Sequence, residues 1–330
     1  MISNEEFYAR KKVLVTGGAG CIGSHLAQRL SSLEAEVTIL DNLMRHDEAV
    51  RNLEEIKIKD FLNVDILNNN ILSYLIKDGY EMIFHLAALP SHRLALERPR
   101  DYALTDIMGT VNILESARLS KKKPTVIFAS SNKVYGKQEP PFREDKSCLP
   151  EGPYGQAKLC SEEWCMQYSK YYGLNTPIVR YHHVLGPRTQ PDREISIFTE
   201  RILNRESPIV HGKFIDGKFV SCSADYTDVN DAVEGTLLAG QIKGFDTFNL
   251  ATGIQTPVEE IARLVMDYTG NQSEIIHKEM LSHETLVHLS DISKAKKILG
   301  FNPTRTVQDS VRDYINWRMK VGPRELAIYK

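Results

Sequence analysis

Short, continuous apolar runs alternate with amphipathic stretches through the first half of the chain. Residues 13–16, 37–40, 82–86, 126–130 and 177–181 are hydrophobic runs of strand length, the pattern of strands buried on both faces. Between them, residues 22–33, 71–77, 102–119 and 154–172 carry apolar positions at helical spacing. Such alternation predicts an α/β fold: a doubly wound parallel sheet with helices on both faces. After Arg180 the pattern loosens. Gly186-Pro187 and Gln190-Pro191 mark loops, residues 195–203, 229–240, 257–268, 293–299 and 307–319 read as helices, and 247–250 as a strand. Asp216-Gly217 within residues 214–219 reads as a hairpin turn. No repeat or long linker separates the halves, so the second lobe is expected to pack against the first with the ligand between them.

The 330 residues allow one large domain or two modest ones. A formal net charge of −2 excludes a strongly basic surface, so neither nucleic acid nor a membrane is an expected partner. Lys121-Lys122-Lys123 before Pro124 reads as a solvated helix end. No apolar stretch approaches the roughly 20 residues needed to span a bilayer, and Met1 to Lys12 is too polar for a signal core. The five cysteines, Cys21, Cys148, Cys160, Cys165 and Cys222, lack zinc-like pairing. They are expected to be reduced and structural, with no metal bound and the chain in the cytoplasm.

Candidate chemistry begins at the first strand. Val15-Thr16-Gly17-Gly18-Ala19-Gly20-Cys21-Ile22-Gly23 follows an apolar run and opens a helix. In that context Gly17, Gly20 and Gly23 suit a dinucleotide turn: backbone N–H groups and the positive helix end converge on a pyrophosphate. Asp41 ends the second strand, where a carboxylate accepts both adenosine ribose hydroxyls and repels a 2′-phosphate. Asn42 follows it rather than a basic residue, so the expected cofactor is NAD and not NADP. Asp65 and Ile66 follow an expected third strand between residues 37–40 and 82–86, as candidates to cap the adenine. His85-Leu86-Ala87-Ala88 ends the fourth strand, with small residues that let the backbone run close to the cofactor.

Ser131 lies at the end of the strand over 126–130, and Tyr154 and Lys158 follow in Pro153-Tyr154-Gly155-Gln156-Ala157-Lys158. Spacing of i, i+4 puts the tyrosine and lysine on one helix face. A tyrosine with its ordinary pKa of about 10 is a poor base; a neighbouring ammonium and a positive nicotinamide favour the phenolate. The phenolate then takes a hydroxyl proton as hydride leaves the same carbon. Ser131 hydrogen-bonds that hydroxyl, and Lys158 also holds the nicotinamide ribose.

From about Lys12 to Asp313 the chain resembles an extended short-chain dehydrogenase/reductase of the NAD-dependent sugar epimerase/dehydratase family. The resemblance rests on residues 16–23, 85–88, 154–158, Ser130-Ser131-Asn132-Lys133-Val134-Tyr135-Gly136, and Asp291-Ile292-Ser293-Lys294-Ala295 through Leu299-Gly300-Phe301. It implies a Rossmann domain over 1–181 plus about 225–250. It further implies a smaller α/β substrate-binding domain over about 182–224 plus 251–330, bound NAD, a nucleotide-sugar substrate, and a homodimer built through the helix carrying Tyr154. Dehydratases of the family resemble Asp-Glu in the two positions after the active-site Ser or Thr; here Asn132 and Lys133 stand there. Epimerisation through a transient ketone is therefore the expected reaction. A dehydratase, decarboxylase or oxidoreductase of an atypical sugar is the alternative, and a non-catalytic NAD-binding sensor is the alternative of another class. The Ser-Asn-Lys-Val-Tyr-Gly run is also similar to 2-epimerases of CDP-linked dideoxy sugars.

The second lobe departs from the family pattern. His183, in Arg180-Tyr181-His182-His183-Val184-Leu185-Gly186-Pro187, stands where the family has an Asn contacting the nucleotide-sugar. Ala224 stands where a phosphate-binding Arg is usual, and another family Arg is missing near His283. Asn132, Lys133, His183 and Arg188 are the candidate substrate contacts. Lys213, Lys218 and His182 are further candidates to replace the missing charge, and His92 and Arg93 lie in a loop expected to face the substrate.

Overall fold

Six buried runs and one partly exposed edge strand pair into one parallel sheet. In the computed structural model, which describes residues 2–44, 46–54, 56–77, 79–280 and 285–322, the order along the chain is as follows. Strand β1 (Lys12–Thr16) leads into helix α1 (Cys21–Ser32), then β2 (Glu36–Asp41), β3 (Asp60–Asn63), α2 (Asn69–Ile76) and β4 (Met82–His85). Helix α3 (Gly109–Leu119), β5 (Thr125–Ser131), α4 (Gly152–Tyr172) and β6 (Ile178–Tyr181) complete the first half. The second half holds α5 (Glu194–Leu203), α6 (Val229–Ala239), β7 (Thr247–Leu250), α7 (Val258–Thr269) and α8 (Val307–Val321). The sheet order is β7-β6-β5-β4-β1-β2-β3, and every pairing is parallel.

Two apolar layers hold helices to the sheet. Leu14, Ile83, Val126 and Phe128 pack on one face with Leu72, Ile113 and Leu114. Val13, Val15, Ile39 and Phe84 pack on the other with Leu26, Leu30, Val233 and Leu237. A separate core, with Ile195, Phe198, Tyr226, Ile261, Val265, Tyr314 and Trp317, belongs to the second half. Helix Ser293–Leu299 does not join it: Ala295, Leu299 and Phe301 pack against Val179, Phe248 and Leu250 at the β7 end of the sheet. The hairpin expected around Asp216-Gly217 forms between strands Ile209–Ile215 and Lys218–Ser221.

One expectation needs correction. Residues 102–119 do not form a single regular helix. A short helix, Pro99–Tyr102, widens into a π-helical turn over Ala103–Met108 before α3 begins. Local hydrogen bonding accounts for the widening. The Asp106 carbonyl accepts from the hydroxyls of Thr110 at 2.5 Å and Ser161 at 2.9 Å, and its carboxylate accepts the Leu89 N–H at 2.9 Å. Side-chain donors of this kind compete with the regular helical ladder, and such turns gather at functional sites.

The site is positioned by topology. Strand order reverses between β1 and β4, and in open parallel sheets a ligand crevice opens beyond the carboxyl ends of the strands at that switch point.

Candidate active site

Thr16 ends β1 beside His85 at the end of β4. Thr110 Oγ1 donates to the Asp106 carbonyl, so it accepts from His85 Nε2 at 3.1 Å. The proton of a neutral imidazole therefore sits on Nε2, and Nδ1 accepts from Thr16 Oγ1 at 2.7 Å. Thr16 Oγ1 in turn accepts the Ala87 N–H at 3.3 Å. This chain clamps the 85–88 loop to the glycine turn.

The turn is tight because its glycines touch protein. Gly17 has a φ of +66°, and a Cβ there would meet Ala87 N at 2.6 Å. At Gly23 a Cβ would meet the Gly17 carbonyl at 2.2 Å and Gly18 Cα at 2.8 Å. Helix α1 starts from Gly20 with no side-chain cap, so its first-turn N–H donors remain available to an anion. Asn52 braces the loop by donating to the Ala19 carbonyl at 2.8 Å. Gly23→Ala is expected to weaken NAD binding roughly 10- to 100-fold, the cost of overpacking against rigid backbone. Titration calorimetry checks this, and wild-type affinity in the variant would show that the close approach is dispensable.

Gly17, Gly20, Cys21, Ile22 and Gly23 line a cleft of about 460 Å³, and Asp41, Asn42 and Ile66 line the same cleft. The Asp41 carboxylate accepts the N–H groups of Ala19 at 3.1 Å and Leu43 at 2.9 Å. Each oxygen keeps a lone pair for a ribose hydroxyl. Burial pushes its carboxyl above the usual range against these backbone bonds. Asp65 is not among the lining residues; its carboxylate accepts from Asn42 Nδ2 at 2.9 Å and the Leu67 N–H at 2.8 Å. Leu86, Ala87 and Ala88 line the cleft as well.

Ser131, Tyr154 and Lys158 meet on this cleft from β5 and α4. Tyr154 is 8% exposed and sets the edge of its ring on Tyr102, 6.1 Å between centroids. Lys158 Nζ donates to the Ala129 carbonyl at 3.1 Å. Ser131 Oγ donates to Asn132 Oδ1 at 3.3 Å. Asp106, which the sequence reading did not single out, is buried beside Lys158 and its Oδ2 has no hydrogen-bond partner among the described residues. Burial raises its carboxyl pKa, with Lys158 opposing.

The residues 13–251 match the model of the NAD dependent epimerase/dehydratase family. The chain belongs to that family. Curated relatives include a UDP-N-acetyl-alpha-D-glucosaminuronate decarboxylase of Bacillus cytotoxicus, 32% identical over 93% of this chain and 98% of that one. Among solved structures, a UDP-glucose 4-epimerase from Thermotoga maritima with UDP-glucose is 31% identical, covers 94% of this chain and 99% of that chain, and has a TM-score of 0.83. A UDP-glucuronic acid 4-epimerase from Bacillus cereus with UDP-glucuronic acid and NAD is 26% identical, covers 94% and 100%, and has a TM-score of 0.84. The cofactor of this family is NAD, and the uncapped helix start, the glycine turn and Asp41 fit it.

The substrate half of this epimerase/dehydratase fold is less orthodox. His183 lines the cleft, with Nδ1 3.6 Å from Glu194 Oε1 and its ring 5.5 Å from Tyr226. Burial alone would raise the Glu194 carboxyl, but the His183 hydrogen bond and charge outweigh it and hold it at about 2. Ala224 is buried in the second core on a two-residue strand paired with Thr256–Pro257. His283 lies outside the described residues. Arg188 lines the cleft, but its guanidinium donates to Gln28 Oε1 at 3.1 Å and Ser24 Oγ at 3.4 Å on α1. Lys213, Lys218 and Arg93 are not among the lining residues; His92 and His182 are.

His182 is buried against Ser290 Oγ, 2.6 Å from Nε2. Burial lowers the pKa of both His85 and His182 to about 3. Both are neutral in the folded chain and protonate more readily once unfolded, so protons favour unfolding. Their stabilising contribution is full above the ordinary histidine value of about 6.5 and falls as pH drops from there towards 3, by up to about 1.4 kcal/mol per pH unit for each ring. The urea midpoint is therefore expected to be lower at pH 5.5 than at pH 7.5; an unchanged midpoint would contradict neutral burial.

Proposed function

We propose that the protein is an NAD-dependent epimerase of a nucleotide-linked sugar, with Ser131, Tyr154 and Lys158 as its catalytic residues. The observation that carries this reading is their meeting on one cleft with the glycine turn and Asp41, while Asn132 and Lys133 follow Ser131 and offer no acid for elimination. Bound NAD supplies an acceptor for the hydrogen of the sugar carbon and a donor for its return. Tyr154 takes the proton of the sugar hydroxyl, and Ser131 Oγ holds that oxygen as the ketone forms. Lys158, fixed on the Ala129 carbonyl, supplies an ammonium one helical turn from the tyrosine and would hold the ribose. Inversion requires the ketone to turn over, so that the carbon regains its hydrogen on the other face while Tyr154 returns the proton to the oxygen.

UDP is the nucleotide we favour, because the relatives that match nearly the whole chain act on UDP-sugars. Purified protein is incubated with UDP-glucose, UDP-N-acetylglucosamine and UDP-glucuronate, and products are read by mass and proton NMR. An isomer of unchanged mass supports the epimerase; loss of carbon dioxide or water supports the second reading, which the decarboxylase relative favours. Absence of any product and of any change in bound NAD absorbance supports a sensor.

The reading also includes a cytoplasmic homodimer. Trp164 at 41% and Met166 at 39% exposure on α4 support a partner on that helix, and five cysteines outside any disulfide support a reducing compartment.

A further inference from the structure

The loop before α5 reaches back onto the cofactor half of the chain. At its start, Gly186 has a φ of +149°, and a Cβ there would meet Val229 Cγ1 at 2.5 Å, so the backbone is pressed against the first residue of α6. Thr189, 1% exposed, closes the turn: its hydroxyl donates to the Gly186 carbonyl at 2.6 Å and accepts the Gly186 N–H at 3.2 Å. Arg188, between them, is held at a φ of +63°. A residue with a Cβ keeps that left-handed conformation only where its surroundings demand it.

Those surroundings are the start of α1. The Cys21 thiol donates to the Pro187 carbonyl at 3.5 Å. The Arg188 side chain runs along the helix rather than out to water, with Nη1 donating to Ser24 Oγ at 3.4 Å and Nη2 to Gln28 Oε1 at 3.1 Å. Ser24 Oγ gives its own proton to the Cys21 carbonyl at 3.1 Å. Cys21, the first residue of α1, is thus gripped through both its thiol and its carbonyl. Further along the loop, Arg193 donates to the Pro90 carbonyl at 3.2 Å. The loop is therefore fastened to the segments that follow β1 and β4, on either side of the switch point. Arg188, Gln190 and Arg193 line the same cleft as Gly20 and Cys21, which places the loop at the turn that takes the pyrophosphate.

We propose that residues 186–193 are a strap that locks NAD in the cleft, with Arg188 as the positioning residue that holds the strap on α1. Release of the cofactor requires the strap to lift, so its bonds to α1 set the dissociation rate. This goes beyond the choice of sugar reaction, and its test uses no sugar. Holoenzyme loaded with radiolabelled NAD is chased with excess unlabelled NAD, and retained label is followed by filtration. The wild type is expected to lose label over many minutes. Arg188→Met is expected to release it about 10- to 100-fold faster, the range for lost hydrogen bonds from a charged group, with the association rate within about threefold of wild type. Gln28 is exposed and does not line the cleft; Gln28→Ala removes one of the bonds from the other side and is expected to speed release about three- to tenfold. Urea midpoints on the same samples report folding, and Gln28→Ala decides alone if Arg188→Met does not fold. Wild-type release within the mixing time overturns the inference, as does an unchanged rate in Arg188→Met. An unchanged rate in Gln28→Ala also overturns it, by assigning any Arg188 effect to charge on the cofactor rather than to the hold on α1.

Discussion

Tyr154→Phe is expected to lower kcat by about 10²- to 10⁴-fold, the range of a lost general base, while NAD stays bound. The phenyl ring keeps every apolar contact that the tyrosine makes: the edge on Tyr102 and the packing against Ala95. Only the oxygen is removed. The Lys158 bond to the Ala129 carbonyl does not pass through that oxygen, so the ribose-holding lysine stays in place. kcat and kcat/KM should fall together, because the interaction is made only as the proton moves. Steady-state kinetics with cofactor content measured on the same sample checks this. Wild-type turnover would remove Tyr154 from the mechanism.

The second large effect is on stability. Arg180→Met should cost about 3–5 kcal/mol, the range for one member of a buried pair removed, out of the 5–15 kcal/mol typical of a domain. Arg180 on β6 binds Glu162 on α4 through two parallel bonds, 2.9 Å from Nε and 2.6 Å from its terminal nitrogen. Their side chains are 6% and 5% exposed. Ser130, the neighbour of Ser131, donates to the same carboxylate, and the guanidinium lies 4.7 Å over the Tyr135 ring. Glu162 thus ties both β6, through Arg180, and the strand that presents Ser131, through Ser130, to the helix that presents Tyr154 and Lys158. Removing Arg180 leaves Glu162 charged and buried. Removing both, as in Arg180→Met with Glu162→Met, should recover much of the loss, because neither charge then needs burial. Urea unfolding measures each variant; a single-variant cost below about 1 kcal/mol would show that water reaches the pair.

The contrast between these two sites explains what was legible in the residues alone. The sheet, its strands and the Ser131, Tyr154 and Lys158 grouping follow from local signals: continuous apolar runs, a glycine turn and an i, i+4 pair. The Glu162–Arg180 pair has no such signal, since its partners sit on separate elements that only the sheet order brings together. Strand β3 is a faint pattern because it is the sheet edge and none of its four residues is fully buried. The π-helical turn carrying Asp106 depends on hydroxyls of Thr110 and Ser161, one of them from another helix. Arg188 is a candidate substrate contact from its place in the sequence, whereas its guanidinium donates to Gln28 and Ser24 on α1. The glycines read as room for a ligand, and the structure adds that Gly17 and Gly23 are equally demanded by protein backbone.

The central claim is that hydrogen leaves one sugar carbon and returns to the same carbon. Turnover of the accepted nucleotide-sugar in deuterated water, read by NMR and mass spectrometry, tests it most directly. The account predicts an isomer with no deuterium at the inverted carbon. Deuterium at that carbon, or a product of different skeleton mass, would contradict it.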